Sequence, residues 1–179
     1  MMLKGKLSTL RPWKIGDEEG LVKVANNPKI AKNLIYSYPN PYTLADAKEY
    51  IKSCQDSIKT ITHFAIIVDK NIAGAITFSF KDEDKKHTVV LGYWIGEEYW
   101  GRGITPEAIR LVTKYAFENC NIERMEAKVY TWNPNSAKVL LKAGFTFEGV
   151  LRKSTLKAGS VVDEWIYSIT REEVDKLVD

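Results

Sequence analysis

The chain has 179 residues, of which 45% are hydrophobic and 27% charged, with a formal net charge of +3 at pH 7. That length suits one domain, able to bury about two thirds of the surface its unfolded form exposes. Lysines and arginines scattered among acids exclude the concentrated basic stripe of a nucleic-acid binder, and no apolar run approaches the ~18 residues a membrane span needs. Cys54 and Cys120 stand in no metal-ligand spacing, so no metal is expected and the thiols are expected reduced. The first ten residues carry no signal-peptide pattern. The expectation is a single domain over residues 1–179, cytoplasmic, monomeric or homodimeric, with neither nucleic acid nor membrane as partner.

Residues 7–11 read as a short first strand. Asp17 opens a helix over 18–26, which Asn26-Asn27-Pro28 breaks, and a second short helix runs over 28–34. An aromatic and proline-rich loop follows over 35–42. Thr43 then opens another helix through a Thr-x-x-acid capping pattern with Asp46. Residues 63–68 and 72–80 form a strand pair about a turn at Lys70-Asn71. The charge run 81–86 reads as a solvated loop, and 88–95 as the returning strand. Residues 107–119 place Ala108, Leu111, Val112, Tyr115 and Ala116 on one helical face. A strand follows over 125–130, then a helix over 136–143 ending at Gly144 as its C′ glycine. A strand pair over 145–156 and 161–169 turns at Gly159, and a polar helix closes the chain over 171–178. The order is an antiparallel meander, a strand–helix–strand unit that forces one parallel pair with a right-handed crossover, and a last hairpin. The fold class is mixed α/β, of the α+β kind.

The chemistry sits between the strand at 88–95 and the helix after it. In Tyr99-Trp100-Gly101-Arg102-Gly103-Ile104-Thr105-Pro106, two glycines allow a tight turn and close backbone approach. Thr105 suits a helix N-cap and Pro106 the first helical position. Free N–H groups and the helix dipole then converge on one spot suited to phosphate. The competing reading is a structural turn, and neither GxxxxGK[ST] nor GxGxxG fits. A second stretch, Tyr130-Thr131-Trp132-Asn133-Pro134-Asn135-Ser136, follows the next strand and runs on to Lys142-Ala143-Gly144-Phe145 and Glu148-Gly149.

Taken together, these two stretches resemble the GNAT acetyltransferases, and within them the branch of the ribosomal-protein N-terminal acetyltransferases. Pro39-Asn40-Pro41-Tyr42-Thr43 and Asp46-Ala47 resemble that branch's N-terminal pattern, so the likeness runs from about Leu7 to Ile169. The resemblance implies a central, mostly antiparallel sheet with one splayed parallel strand pair, flanked by helices. It implies acetyl-CoA as cosubstrate. The pantetheine would pair with the strand end from Tyr93 to Glu97, at Trp94, Ile95 and Gly96. The pyrophosphate would lie on the backbone about Gly101, Arg102, Gly103, Ile104 and Thr105, with Asn133 and Ser136 beside the pantetheine and acetyl group.

Four positions depart from the superfamily pattern, two of them being Trp100, where the loop usually opens with Gln or Arg, and Thr105, where it usually closes with Gly or Ala. Where many relatives carry an acid-donating tyrosine stands Leu140, and where many carry a basic glutamate stands Val90. Ser136 is therefore the candidate proton donor to the departing thiolate, a helix cap being its plainer role. Asp163, which begins an apolar strand, is the candidate base, with Glu97, Glu98 and Tyr93 as alternatives and pairing with Arg152 as the plainer role. Tyr36, Tyr38, Tyr93 and Trp132 are the candidate acceptor-binding aromatics. Deprotonating a free lysine at neutral pH costs roughly 4–5 kcal/mol and an α-amine only about 1. A site without the usual glutamate thus tilts toward a protein N-terminal α-amine. A small-molecule amine (polyamine, aminoglycoside or metabolite) and a catalytically silent CoA-binding sensor remain the alternatives.

Overall fold

A computed structural model describes residues 1–55 and 62–176. Eight strands form one sheet in the order β1-β2-β3-β4-β5-β6-β8-β7: β1 Leu3–Lys4, β2 Thr9–Pro12, β3 His63–Val68, β4 Asn71–Phe80, β5 Thr88–Ile95, β6 Arg124–Tyr130, β7 Thr146–Lys157 and β8 Ser160–Thr170. Every neighbouring pair is antiparallel except β5 and β6. The helices are α1 Glu18–Ala25, α2 Pro28–Ala31, α3 Leu44–Gln55, α4 Ile104–Asn119, α5 Pro134–Lys142 and α6 Arg171–Val174.

Alternation along the strands feeds two cores. On β3, Phe64 and Ile66 point into the larger one, beneath Ile109, Val112 and Ala116 of α4. Ala65 points the other way, toward Leu21 and Ala25 of α1 and Ala47 and Ile51 of α3. Period-two strands between two amphipathic helical layers leave β3 and β4 buried on both faces, while β7 stays largely exposed. The same alternation on β5 sends Tyr93 to the α4 side and Trp94 to the α1–α3 side.

Several elements differ from the sequence reading. The first strand lies at Thr9–Pro12 and pairs with a further short strand, β1. The second helix ends at Ala31; Asn27 caps it by accepting from Lys29 N at 2.9 Å. The charge run 81–86 is not wholly solvated: Lys81 reaches the buried carboxylate of Glu126 on β6, and Glu83–Lys85 make one 3-10 turn. The last helix ends at Val174, and residues 177 and 178 lie outside the described residues. Elsewhere the signals hold. Thr43 and Asp46 bond reciprocally at the start of α3, and Gly144 and Gly159 adopt φ of 95° and 80°.

Candidate active site

β5 and β6 pair only from Thr88–Val90 against Arg124–Glu126. Beyond that point β4 holds β5 as far as Ile95, while β8 holds β6 as far as Tyr130. Each strand follows its outer partner, so the parallel pair opens into a gap. Gly96 N donates to Ala73 O at 2.7 Å. Strand alternation therefore turns the backbone of Ile95 and Tyr93 toward the gap. Trp100 Nε1 already donates to Ile95 O at 2.9 Å, leaving the Ile95 amide and the Tyr93 backbone as the polar edge of β5.

The gap widens into a cleft of about 560 Å³. One wall is the turn into α4. Gly101 and Gly103 adopt φ of 74° and 76°, a left-handed conformation that a side chain disfavours by roughly 1–2 kcal/mol. Gly103, and not Thr105, is the N-cap of α4, which begins at Ile104. The left-handed glycine bends the chain straight into the helix, so Thr105 falls in the first turn, buried at 9% exposure. Pro106 stands third in the helix, where its missing N–H has no intrahelical partner to lose. The leading N–H groups of α4 face the cleft with the positive end of the helix dipole behind them. Arg102 lies over the Tyr99 ring, 5.5 Å from its centroid.

The opposite wall is the start of α5. Asn133, and not Ser136, caps this helix: Asn133 Oδ1 accepts from Ser136 N at 3.3 Å. The Ser136 hydroxyl is thereby released from capping, and Ser136 Oγ lies 2.8 Å from Tyr93 Oη across the cleft. Burial pushes the Tyr93 phenol well above its ordinary pKa, against a smaller lowering by Ser136; it stays protonated through the physiological range. Leu140, one turn further along the same face of α5, is fully buried. That position belongs to the core, whereas Ser136, one turn earlier on α5, lines the cleft.

The third wall was not foreseen. Lys29, Ile30, Lys32, Asn33 and Leu34, in and after α2, line the cleft. Three side chains tether this segment. Trp132 Nε1 donates to Asn33 Oδ1 at 3.1 Å. Tyr130 Oη donates to Leu34 O at 3.3 Å. Lys157 Nζ donates to Ala31 O at 2.9 Å and to Leu34 O. Lys138 and Lys142 on α5 also line the cleft; their i, i+4 spacing was the one sequence signal that could have placed them together.

Of the candidate residues, Tyr93, Trp94, Ile95, Gly101, Arg102, Gly103, Ile104, Thr105, Trp132, Asn133 and Ser136 come together on this cleft. Gly96 sits behind it: a Cβ there would stand 2.5 Å from Val24 Cγ1. Tyr36 is 68% exposed and away from the cleft wall. Tyr38 packs against Tyr42 and Trp94, its hydroxyl donating to Ala25 O at 3.1 Å. Asp163 also lies off the wall. Its carboxylate accepts from Lys153 N at 2.7 Å, where β7 bulges, so its partner is a main-chain amide and not Arg152. Glu97 is bound by Lys29 and Asn27, whose hydrogen bonds lower its pKa and weaken it as a base. Among the described residues that line the cleft, none is a carboxylate or a histidine.

A model of the acetyltransferase (GNAT) domain matches residues 8–146. The chain is 31% identical to the probable N-acetyltransferase YjcK of Bacillus subtilis (strain 168), over 94% of this chain and 96% of that protein. It is 25% identical to the ribosomal-protein-serine acetyltransferase of Escherichia coli (strain K12), over 67% and 73%. Among solved structures, the microcin C7 self-immunity acetyltransferase MccE, in complex with acetyl-CoA and AMP, superposes with a TM-score of 0.80 at 27% identity, covering 93% of each chain.

Proposed function

Because the chain belongs to the GNAT acetyltransferase family, we propose that it moves the acetyl group of acetyl-CoA directly to an amine of low basicity, a protein or peptide N-terminal α-amine. The observation that carries the acceptor class is the cleft wall, which among its described residues holds no carboxylate and no imidazole. Such a wall offers no strong base to a lysine ammonium and no counter-charge to a polyamine. An α-amine reaches the site neutral at a cost of only about 1 kcal/mol.

The residues fit the cosubstrate. Backbone groups of Tyr93 and Ile95 at the open edge of β5 suit an extended arm added like a strand. The turn from Gly101 to Thr105 suits a pyrophosphate, and Arg102, Lys138 and Lys142 add cations around the same cleft. Acetyl-CoA supplies an acyl carbon activated as a thioester. The acceptor nitrogen forms the new bond to that carbon as the carbon–sulfur bond breaks. Ser136 Oγ gives its proton to the departing sulfur and is refilled from Tyr93 Oη, 2.8 Å away. The proton lost by the amine passes to water and restores the balance at Tyr93. Asn133 holds the Ser136 amide and keeps its own amide N–H groups for the pantetheine.

A second acceptor reading rests on Trp132. Its ring is 45% exposed in the cleft and stacks on Tyr130, with centroids 4.5 Å apart and planes 14° apart. A fixed indole with an open side suits a planar group, so an amine carried on a nucleotide is the alternative, in line with the AMP bound by MccE.

Calorimetric titration with acetyl-CoA, CoA and ATP tests the cosubstrate: both CoA species should bind one per chain and ATP should not. An acceptor panel of N-terminal peptides, N-blocked lysine peptides, polyamines and aminoacyl nucleotides tests the acceptor. Turnover of free-N-terminus peptides alone is the expected result. Turnover confined to polyamines or lysine side chains overturns it, and turnover confined to the nucleotides selects the second reading.

A further inference from the structure

Glu107 stands in the first turn of α4, two residues beyond the Gly101–Thr105 backbone assigned to the pyrophosphate. A carboxylate favours that place electrostatically, and for the same reason it would compete there with a phosphate. The structure resolves the conflict with a segment the motif does not contain. Residues 5–8 cross the start of α4, closed by a turn in which Gly5 N donates to Ser8 O at 2.8 Å. Lys6 N donates to Glu107 Oε1 at 2.6 Å, Leu7 N donates to both carboxylate oxygens at 3.0 Å, and Ser8 Oγ donates to Oε2 at 2.9 Å. The carboxylate is thereby saturated on the side away from the cleft. Gly5 makes the crossing possible, since a Cβ there would lie 2.3 Å from Glu107 Oε2. Leu7 completes the contact: its Cδ1 lies 3.4 Å from where a Cβ of Gly103 would stand, so the segment also backs the left-handed N-cap of α4.

We propose that Glu107 is a positioning residue: it clamps the N-terminal segment 5–8 across the start of α4, so that the Gly101–Thr105 turn keeps its phosphate-binding shape and its own carboxylate stays out of the phosphate's place. The proposal rests on the reading of that turn as the acetyl-CoA pyrophosphate site. Glutamine can keep the clamp without charge: its carbonyl oxygen accepts from Lys6 N and Leu7 N, and its NH₂ donates to Ser8 Oγ, a hydroxyl that donates or accepts. Alanine keeps none of it.

The test is calorimetric titration of acetyl-CoA into the wild type, Glu107→Gln, Glu107→Ala, Gly5→Ala and the double variant, with thermal melts to verify folding. Glu107→Ala and Gly5→Ala should each weaken binding by about tenfold, the scale of one lost hydrogen bond to a charged group. Glu107→Gln should bind as the wild type does. The double variant should be no weaker than Glu107→Ala alone, because both changes break the same contact. If Glu107→Ala does not fold, Gly5→Ala against Glu107→Gln carries the comparison. Wild-type affinity in Glu107→Ala or Gly5→Ala, a loss in Glu107→Gln equal to that in Glu107→Ala, or additive losses in the double variant overturns the clamp. A wild type that binds no acetyl-CoA overturns the cosubstrate reading itself, an outcome distinct from any of these.

Discussion

In the proposed mechanism Ser136 and Tyr93, 2.8 Å apart, divide a task that one side chain on α5 could have held. Leu140 occupies the face of α5 that the core needs, and a polar group there would be buried without a partner, at a cost of about 1–3 kcal/mol. Ser136 lies one turn nearer the gap, and Asn133 does its capping. Ser136→Ala should therefore leave the helix cap and the acetyl-CoA Kd intact, because the capped group is a backbone amide. It should lower kcat about 10²-fold, the low end for loss of a general acid; single-turnover kinetics beside calorimetry check both halves. Tyr93→Phe should give a smaller loss. Away from the cleft, hydrogen bonds from Arg124 and Ser168 hold the Glu148 carboxyl near a pKa of about 2, below the ordinary 4.5. A depressed folded-state pKa contributes stability above pH 4.5 that is lost as pH falls toward 2. The melting temperature of the wild type should exceed that of Glu148→Gln at pH 7, and the difference should close between pH 4.5 and 2. Glu148 is partly exposed, so screening keeps the margin small.

At the scale of elements, the cleft exists because β5 and β6 stop pairing after Val90 and Glu126, each drawn aside by its outer neighbour. The start of α4 lends the amides and dipole, and the start of α5 lends the hydroxyl. Gly101 has open space around its missing side chain, yet its φ of 74° is left-handed. Gly101→Val should therefore weaken acetyl-CoA binding through backbone strain and not through a clash. The loss should appear in titration while the melting temperature moves little, the turn being at the surface. Asn133→Ala should destabilise the fold by about 1 kcal/mol through the lost cap of α5, measured by urea unfolding, and also weaken acetyl-CoA binding.

Across the whole molecule, the segment after α2 is pinned to the far side of the sheet by side chains from β6, the turn after it, and β7. Lys157 is the longest of these links in sequence, its ammonium set against the carbonyls of Ala31, the last residue of α2, and of Leu34 beyond it. We propose that this segment borders the acceptor, beside Trp132, so the larger effect of the link should be on acceptor binding. Lys157→Met should raise the acceptor KM while leaving the acetyl-CoA Kd unchanged, since the Lys157 ammonium bonds to carbonyls of Ala31, Leu34 and Ile35 and not to Arg102 or the glycine turn. Equal losses in both constants would show that the segment supports the cleft as a whole and not the acceptor side alone.

Local chemistry in the sequence was enough for the order of the elements after β1, the single parallel pair and both cleft-forming turns. A Gly-x-Gly before an amphipathic helix and an Asn-Pro after a strand are signals carried by a few adjacent residues. Glycine conformation, capping and alternation act over that same short range. Where those signals were ambiguous, only packing decided: Gly103 capped α4 where Thr105 was expected, and Asn133 capped α5 and left Ser136 for Tyr93. The loop aromatics Tyr36 and Tyr38 looked like pocket residues, yet one faces outward and the other lies among Tyr42 and Trp94. Asp163 looked like a base on an apolar strand, yet a bulge of β7 supplies its partner. The segment after α2, and the contact of residues 5–8 with Glu107, join stretches about a hundred residues apart. No periodicity or motif encodes such meetings, because the distance between those groups is set by the assembled sheet and the helices packed on it.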